Sequence, residues 1–278
     1  CMAAVSTYMT VSDLDYAALH AVYYLGPGGR EIARSALVPL SRVGLPDRSG
    51  IAPVRVRTKA LRIDLVPEGD GLMLTAEAGD LRADFRIARP AGHEALGVVV
   101  PWGPTRFQYT VKENTLPATG EVTVGGERNA FDDAYATLDH GRGKWPYAVT
   151  WNWGAGSGRV GGHVIGVQVG GAWTDGTGST ENALCVDGRI HYLPEDLRWE
   201  YDRSDWMRPW RITDPRGGRA DLTLTPRHVR VDRTQLGVLA NDTHQAFGTW
   251  SGWMADDSGE RVPVDGITGW AEEVRNRW

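Results

Sequence analysis

Short runs in which every second residue is apolar recur along this chain, each closed by glycine, proline or aspartate. Such a chain has little choice but antiparallel β-structure, because side chains alternate between the two faces of a strand. In RFQYTVK (106–112), Phe107, Tyr109 and Val111 fall on one side, and Arg106, Gln108, Thr110 and Lys112 on the other. In YAVTWNW (147–153), Tyr147, Val149, Trp151 and Trp153 share a face, with Thr150 and Asn152 opposite. Leu222 and Leu224 alternate with Asp221, Thr223 and Thr225, and Val229 and Val231 with charged neighbours.

Turn signals separate the runs: GPGG at 26–29, EGDG at 68–71, VGGE at 124–127, DPRGG at 214–218 and DDSG at 256–259. Asp187–Gly188 has the signature of a two-residue hairpin turn between 185–187 and 189–193. The expectation is an all-β sandwich or barrel of many short strands. Two segments stand apart. LDYAALHAVYYL (14–25) has helix-like apolar spacing as well as β-rich aromatics, and AFDDAYATL (130–138) fits a short helix. GAGSG (154–158) follows a strand but leads into no helix pattern, so it reads as a hairpin loop.

Composition narrows the function classes. With 278 residues the chain can bury a sizeable core. A net charge of -5 without a basic block argues against a nucleic-acid partner. No apolar run reaches the length of about 18 residues that suggests a membrane span, and a cytoplasmic location is expected. Cys1 and Cys185 make neither a disulfide scaffold nor a zinc site. The 12 tryptophans against 4 phenylalanines suit apolar walls that touch something polar.

ATLDHGRGKWPYAVTWNWG (136–154) sets three tryptophans, a tyrosine and a proline beside Asp139, His140, Arg142 and Lys144. Read as a strand pair, Asp139 ends one strand, GRGK (141–144) turns, and the next strand starts near Pro146. Trp145, Tyr147, Trp151 and Trp153 would line a pocket able to hold a polyene, a polyketide or a sugar face. Asp139, His140, Arg142 and Lys144 would sit at its rim or floor. A carboxyl group against tryptophan resists ionisation and can protonate an alkene or carbonyl, with aromatic faces stabilising the cation. The plainer alternative pairs Asp139 with Arg142 or Lys144 over a tryptophan-packed core.

Other candidates are scattered. Glu181 and Asn182 close the loop TDGTGSTEN, where a strand mouth or a self-satisfied turn fits equally. His244 opens HQAFGTWSGWM and is a candidate acid or base. Lys112 either lines a polar pocket or is simply exposed. No H-x-H or H-E-x-x-H pattern marks a metal site, and no G-x-S-x-G elbow marks a serine hydrolase. No cofactor is expected. Catalysis would fall to Asp139, Glu181 and His244.

Several blocks in order carry a family resemblance: VKENTLPATGEV (111–122), the 136–154 segment, TDGTGSTENALCVDGRIHYL (174–193), PWRITD (209–214), HQAFGTWSGWM (244–254) and GITGWAEEVRNRW (266–278). Together they resemble a family of uncharacterised bacterial proteins, the domain of unknown function 2804. Position 140 is usually aromatic there and is His140 here. Members carry further residues ahead of the stretch matching 5–25, so the chain is expected to lack its natural start. More distantly, the family is similar to the lipocalin-like group of carotenoid 1,2-hydratases and cofactor-free natural-product cyclases. That resemblance implies two β-barrel or sandwich-like lobes, taken as 1–110 and 111–278, and a small-molecule pocket. Its implied activity is a cofactor-independent lyase or isomerase working by acid–base chemistry on a hydrophobic, polyketide- or terpenoid-like molecule. A glycosidase-like hydrolase with paired carboxylates, such as Asp139 and Glu181, and a non-catalytic lipocalin-type carrier are the alternatives.

Overall fold

The computed structural model describes residues 5–277, so Cys1 lies outside the described residues. The chain is almost entirely β-strand, and among the described residues the one helical element is a 3-10 turn at Pro27–Gly29. Both doubtful segments are strand: 14–25 runs into a strand at Ala17–Leu25, and 130–138 lies inside Glu127–Lys144. Their aromatic and β-branched residues fit a pleated surface and outweigh the helix-like spacing. No helix of the described residues is long and apolar enough to cross a membrane.

The residues divide into two compact units, and not at a single cut near 110. One holds the described residues up to Ala91 together with Leu116–Ala136, and the other holds Gly92–Thr115 and everything from Thr137 on. The cause is the length of two strands, β9 (Arg106–Val124) and β10 (Glu127–Lys144), each of which contributes to both units. The first unit opens with a meander of β1 (Ser6–Asp13), β2 (Ala17–Leu25) and β3 (Glu31–Pro39). Beside it in sequence come β4 (Val54–Arg57), β5 (Arg62–Glu68), β6 (Gly71–Ala78) and β7 (Leu81–Ala88), and β7 pairs with residues 118–124 of β9. Its core gathers Val22, Tyr24, Ile63, Leu81 and Val122.

The second unit has β8 (Leu96–Gly103) paired with the first half of β9. Its main element is a curled, half-barrel antiparallel sheet. The strands are β11 (Ala148–Val160), β12 (His163–Gly171), β13 (Asn182–Val186), β14 (Arg189–Leu193), β15 (Arg198–Glu200), β16 (Trp210–Thr213), β17 (Ala220–Leu236), β18 (Leu239–Ala255), β19 (Arg261–Pro263) and β20 (Thr268–Arg277). In space the order is β14-β13-β12-β11-β20-β18-β17-β16-β15, with β19 on β18. The expected hairpin is present: Val186 pairs with Arg189, and Asp187 and Gly188 both take positive φ, 49° and 85°.

Two stretches read as loops are strand interior. GAGSG lies inside β11, whose turn comes at Gly161–Gly162. Its glycines answer a packing need. A Cβ on Gly156 would stand 2.6 Å from the Trp250 ring, and one on Gly154 would be 3.1 Å away. Trp250 fills that space at the centre of a core with Trp210, Val167, Val169 and Leu222. GRGK likewise continues β10. Cβ atoms on Gly141 and Gly143 would meet the Gln108 side chain and the β9 backbone at 2.3–2.6 Å.

Both faces of this sheet are buried. Trp210, Trp250, Leu184, Ala246 and Ala271 pack on one. On the other, Ala183, Val149 and Trp151 meet Leu96, Val98 and Val100 of β8.

Candidate active site

Strand β9 turns its polar side inward. Gln108, Thr110, Lys112 and Asn114 are buried, whereas Phe107 is 42% exposed. Burying such a stripe costs several kcal/mol unless each group finds a partner, and here each does. Gln108 Oε1 accepts the Trp145 indole N–H at 2.6 Å, Thr110 donates to Asp139 Oδ1 at 3.0 Å, and Asn114 Nδ2 donates to the Val167 carbonyl at 3.1 Å. Local conflict between pattern and burial of this kind concentrates at functional sites.

Lys112 is the centre. Its ammonium lies 2.9 Å from Asp139 Oδ2, 3.6 Å from Glu181 Oε2 and 4.1 Å from the centroid of the Trp153 ring. Burial pulls its pKa down, but Asp139 and Glu181 together outweigh that and leave it raised. Glu181 is sealed in; its Oε1 accepts the Trp173 indole N–H at 2.8 Å. Space for it comes from Gly170, where a Cβ would stand 2.2 Å from the Glu181 side chain. Burial pushes the Glu181 carboxyl up, and the Lys112 charge only partly opposes it.

A second buried carboxyl, Glu272 of β20, completes the group. Its Oε1 accepts the Trp151 indole N–H at 3.1 Å, and its Oε2 accepts an amide hydrogen from Gln245 Nε2 at 2.8 Å. Burial drives its pKa up to about 7, against the pull of the Trp151 hydrogen bond and the Lys112 charge. Around these groups stand the tryptophans. Trp145 stacks on Trp173 at 6.2 Å between centroids and meets Trp102 and Trp151 edge-on at 5.5 and 5.6 Å. Four buried polar atoms here have no hydrogen-bond partner among the described residues: Asn114 Oδ1, Glu181 Oε2, Gln245 Oε1 and Trp270 Nε1. Among the described residues, no set of three or more His, Cys, Asp or Glu side chains is placed to hold a metal ion.

The structure thus brings together Lys112, Asp139, Glu181, Trp145, Trp151 and Trp153. It does not bring in the rest. Asp139 lies within β10, its side chain 42% exposed, and is less enclosed than Glu181 or Glu272. Tyr147 precedes β11, is 51% exposed and donates its hydroxyl hydrogen to the Val238 carbonyl. His140 is half-buried on β10, and Arg142 and Lys144 are exposed there. Asn182 braces backbone, accepting from Gly170 N and donating to the Glu195 carbonyl, both at 2.9 Å.

His244 is buried, but on the opposite face of the sheet, because Gln245 beside it faces Glu272 and strand neighbours alternate. It stacks on Trp206 at 4.0 Å and contacts Asp242 at 3.1 Å, and burial lowers its pKa. Glu272, Gln245, Trp102 and Trp173 are the site residues that sequence reasoning missed. The available signal was GWAEEVR. Two adjacent glutamates in a strand flanked by apolar residues put one on each face, and a central strand buries both.

The curled β-sheet unit that carries this buried carboxyl–lysine cluster has a lipocalin-like fold. The chain belongs to the family described as domain of unknown function 2804, which it matches over residues 2–278. Solved structures similar to it include a hydratase and CghA. Kievitone hydratase from Nectria haematococca has a TM-score of 0.57 and 11% identity, with 99% of this chain and 84% of that one covered. CghA with Sch210972 has a TM-score of 0.51 and 15% identity, with 98% and 88% covered. At such identities the likeness is one of fold. Among curated proteins, no sequence matches the chain.

Proposed function

We propose that the chain is a cofactor-independent hydratase- or cyclase-type enzyme, with Glu272 as its general acid. The observation that carries this reading is the Glu272 carboxyl, held at about 7 among tryptophans. Near neutral pH such a group is present in both protonation states, the condition under which an acid catalyst works best. Its proton has a resting acceptor close by, since Gln245 Oε1 is unpartnered and an amide rotation would turn it to Glu272.

In the proposed reaction Glu272 gives its proton to an alkene or carbonyl of a hydrophobic small molecule. The tryptophan faces stabilise the cationic carbon, and water or an internal nucleophile closes on it. Glu181, buried, raised and 3.6 Å from the Lys112 ammonium, takes the proton released by the nucleophile. The fold shared with a hydratase supports the reading by analogy. Glycoside hydrolysis fits less well, because the Lys112 ammonium contacts both Asp139 and Glu181 where a scissile bond would have to lie.

The test is a panel of terpenoid, polyene and polyketide alkenes, incubated in deuterated and in heavy-oxygen water and followed by mass spectrometry. Enzyme-dependent isotope uptake or cyclisation is expected, lowered about 10²–10⁴-fold in Glu272→Gln. Full turnover in that variant would remove Glu272 from the mechanism.

A further inference from the structure

The opposite face of the same sheet carries a second set of polar groups, at a cleft of about 810 Å3. Asn152, Trp199, Glu200, Tyr201 and Arg203 all line it. Beneath it lies Glu273, fully buried and saturated. Its Oε2 accepts the Tyr201 hydroxyl hydrogen, Arg203 Nε at 2.9 Å and Arg203 Nη2 at 2.6 Å, and its Oε1 accepts Arg275 Nη2 at 2.8 Å. Tyr201 is further fixed by stacking on Trp210 at 4.2 Å. The Trp199 indole N–H donates to the Gly170 carbonyl at 3.3 Å, and its edge rests where a Cβ on Gly171 would be 2.6 Å away. The lining is therefore rigid before any ligand arrives.

Unused hydrogen-bonding capacity remains. Asn152 is 5% exposed, and its Nδ2 donates to the Tyr201 oxygen and to the Glu272 carbonyl, both at 3.1 Å. The carbonyl can only accept, so the amide orientation is fixed and Oδ1 is left with no donor among the described residues. Arg203 Nη1 has no acceptor among them, and Glu200 Oε2 no donor. Three ion pairs are made internally, Arg198 with Glu200 at 2.8 Å, Arg208 with Asp202 at 2.9 Å, and Arg203 with Glu273, while the Asp175 carboxyl accepts only the Ala172 N–H at 2.9 Å and is pushed up by burial. An anion would meet Asp175, Asp202 and Glu200, and a cation would meet Arg198 and Arg203. A neutral hydroxylated ring suits groups of both signs, because each hydroxyl both donates and accepts.

We propose that this cleft is a binding site for a neutral, multiply hydroxylated ring such as a sugar or glycoside, held by Asn152 and Arg203 beside the Trp199 and Tyr201 rings. The site is separate from the carboxyl–lysine cluster and stands whether or not Glu272 is catalytic.

The full-length protein is titrated with the methyl glycosides of glucose, galactose, mannose, xylose and N-acetylglucosamine, followed by saturation-transfer NMR and tryptophan fluorescence. Sodium benzoate and choline chloride serve as anionic and cationic comparisons. At least one glycoside is expected to bind saturably, with neither ion competing. Binding should weaken about tenfold, the size of one lost hydrogen bond, in Asn152→Leu. Because that position is buried, Arg203→Lys, which keeps a cation beside Glu273 but gives up the guanidinium fork, is measured alongside with its thermal melt, and the same loss is expected there with the fold retained. Saturable binding of none of the five glycosides, displacement by benzoate or choline, or glycoside binding unchanged in Arg203→Lys would each overturn the proposal.

Discussion

Glu272 and Glu273 are neighbours in sequence, both buried, yet they live in different chemistry. Strand β20 sends one to each face of the sheet. On one side, Glu272 receives neutral donors, an indole and an amide, at 3.1 and 2.8 Å. On the other, Glu273 receives two guanidinium groups and a phenol. A buried carboxylate needs charge or many hydrogen bonds to stay ionised. Glu272 has two neutral bonds, a lysine already held by two other carboxylates and tryptophan walls. Partner chemistry rather than depth separates a group that braces the fold from one able to pass a proton.

The widest gap between the two should appear with pH. Glu272 has a folded-state pKa of about 7 against an ordinary 4.5, so the folded protein holds that proton more tightly than the unfolded chain. The resulting stabilisation is complete below pH 4.5 and is lost as pH rises through 7. At about 1.36 kcal/mol per pH unit, the loss is on the order of 3 kcal/mol. Denaturant unfolding of the parent and of Glu272→Gln at pH 5 and pH 8.5 isolates this group. The parent should lose stability relative to the variant by roughly that amount. A stability difference that does not change with pH would mean Glu272 titrates like an exposed carboxylate.

Next in size is the effect at Glu273. Glu273→Gln leaves Arg203 and Arg275 without their shared anion. Breaking a fully buried pair costs about 3–5 kcal/mol. These arginine side chains are 60% and 46% exposed, so about 2 kcal/mol is expected, together with loosening of Tyr201. Thermal melts of the parent and of this variant will show it, and a cost near zero would erase the distinction between the two glutamates.

How the sequence signals this arrangement is uneven, for physical reasons. Alternation places Leu222 and Leu224 in the core, and Asp187–Gly188 announces its turn, because both rest on local backbone geometry. The strand pattern leaves the burial of Lys112 open, since nothing local distinguishes a polar stripe facing water from one facing partners on β10, on β12 and in the loop before β13. Glycine misled where its role is to make room. Gly141, Gly143, Gly154 and Gly156 are strand residues shaped around Gln108 and Trp250, atoms far away in sequence. His244 fell to parity, one residue from the strand position that faces Glu272.

The smallest effect concerns the two anions of Lys112. Asp139 and Glu181 both reach its ammonium, at 2.9 and 3.6 Å, and the shorter contact suggests the stronger bond. Solvent reverses that order. The Asp139 side chain is 42% exposed and that of Glu181 only 2%, and ion pairs open to water are worth about 0–1 kcal/mol. Asp139→Asn should therefore cost less than about 1 kcal/mol, and its coupling to Lys112→Met in a double-mutant cycle should be of the same size. Glu181→Gln should couple more strongly to Lys112→Met, because the lost charge is screened by protein and not by water. Raising salt to 1 M should erase the Asp139 coupling and leave the Glu181 coupling largely intact. Equal couplings, or equal sensitivity to salt, would show that water reaches both carboxylates and that the site is less enclosed than its tryptophans suggest.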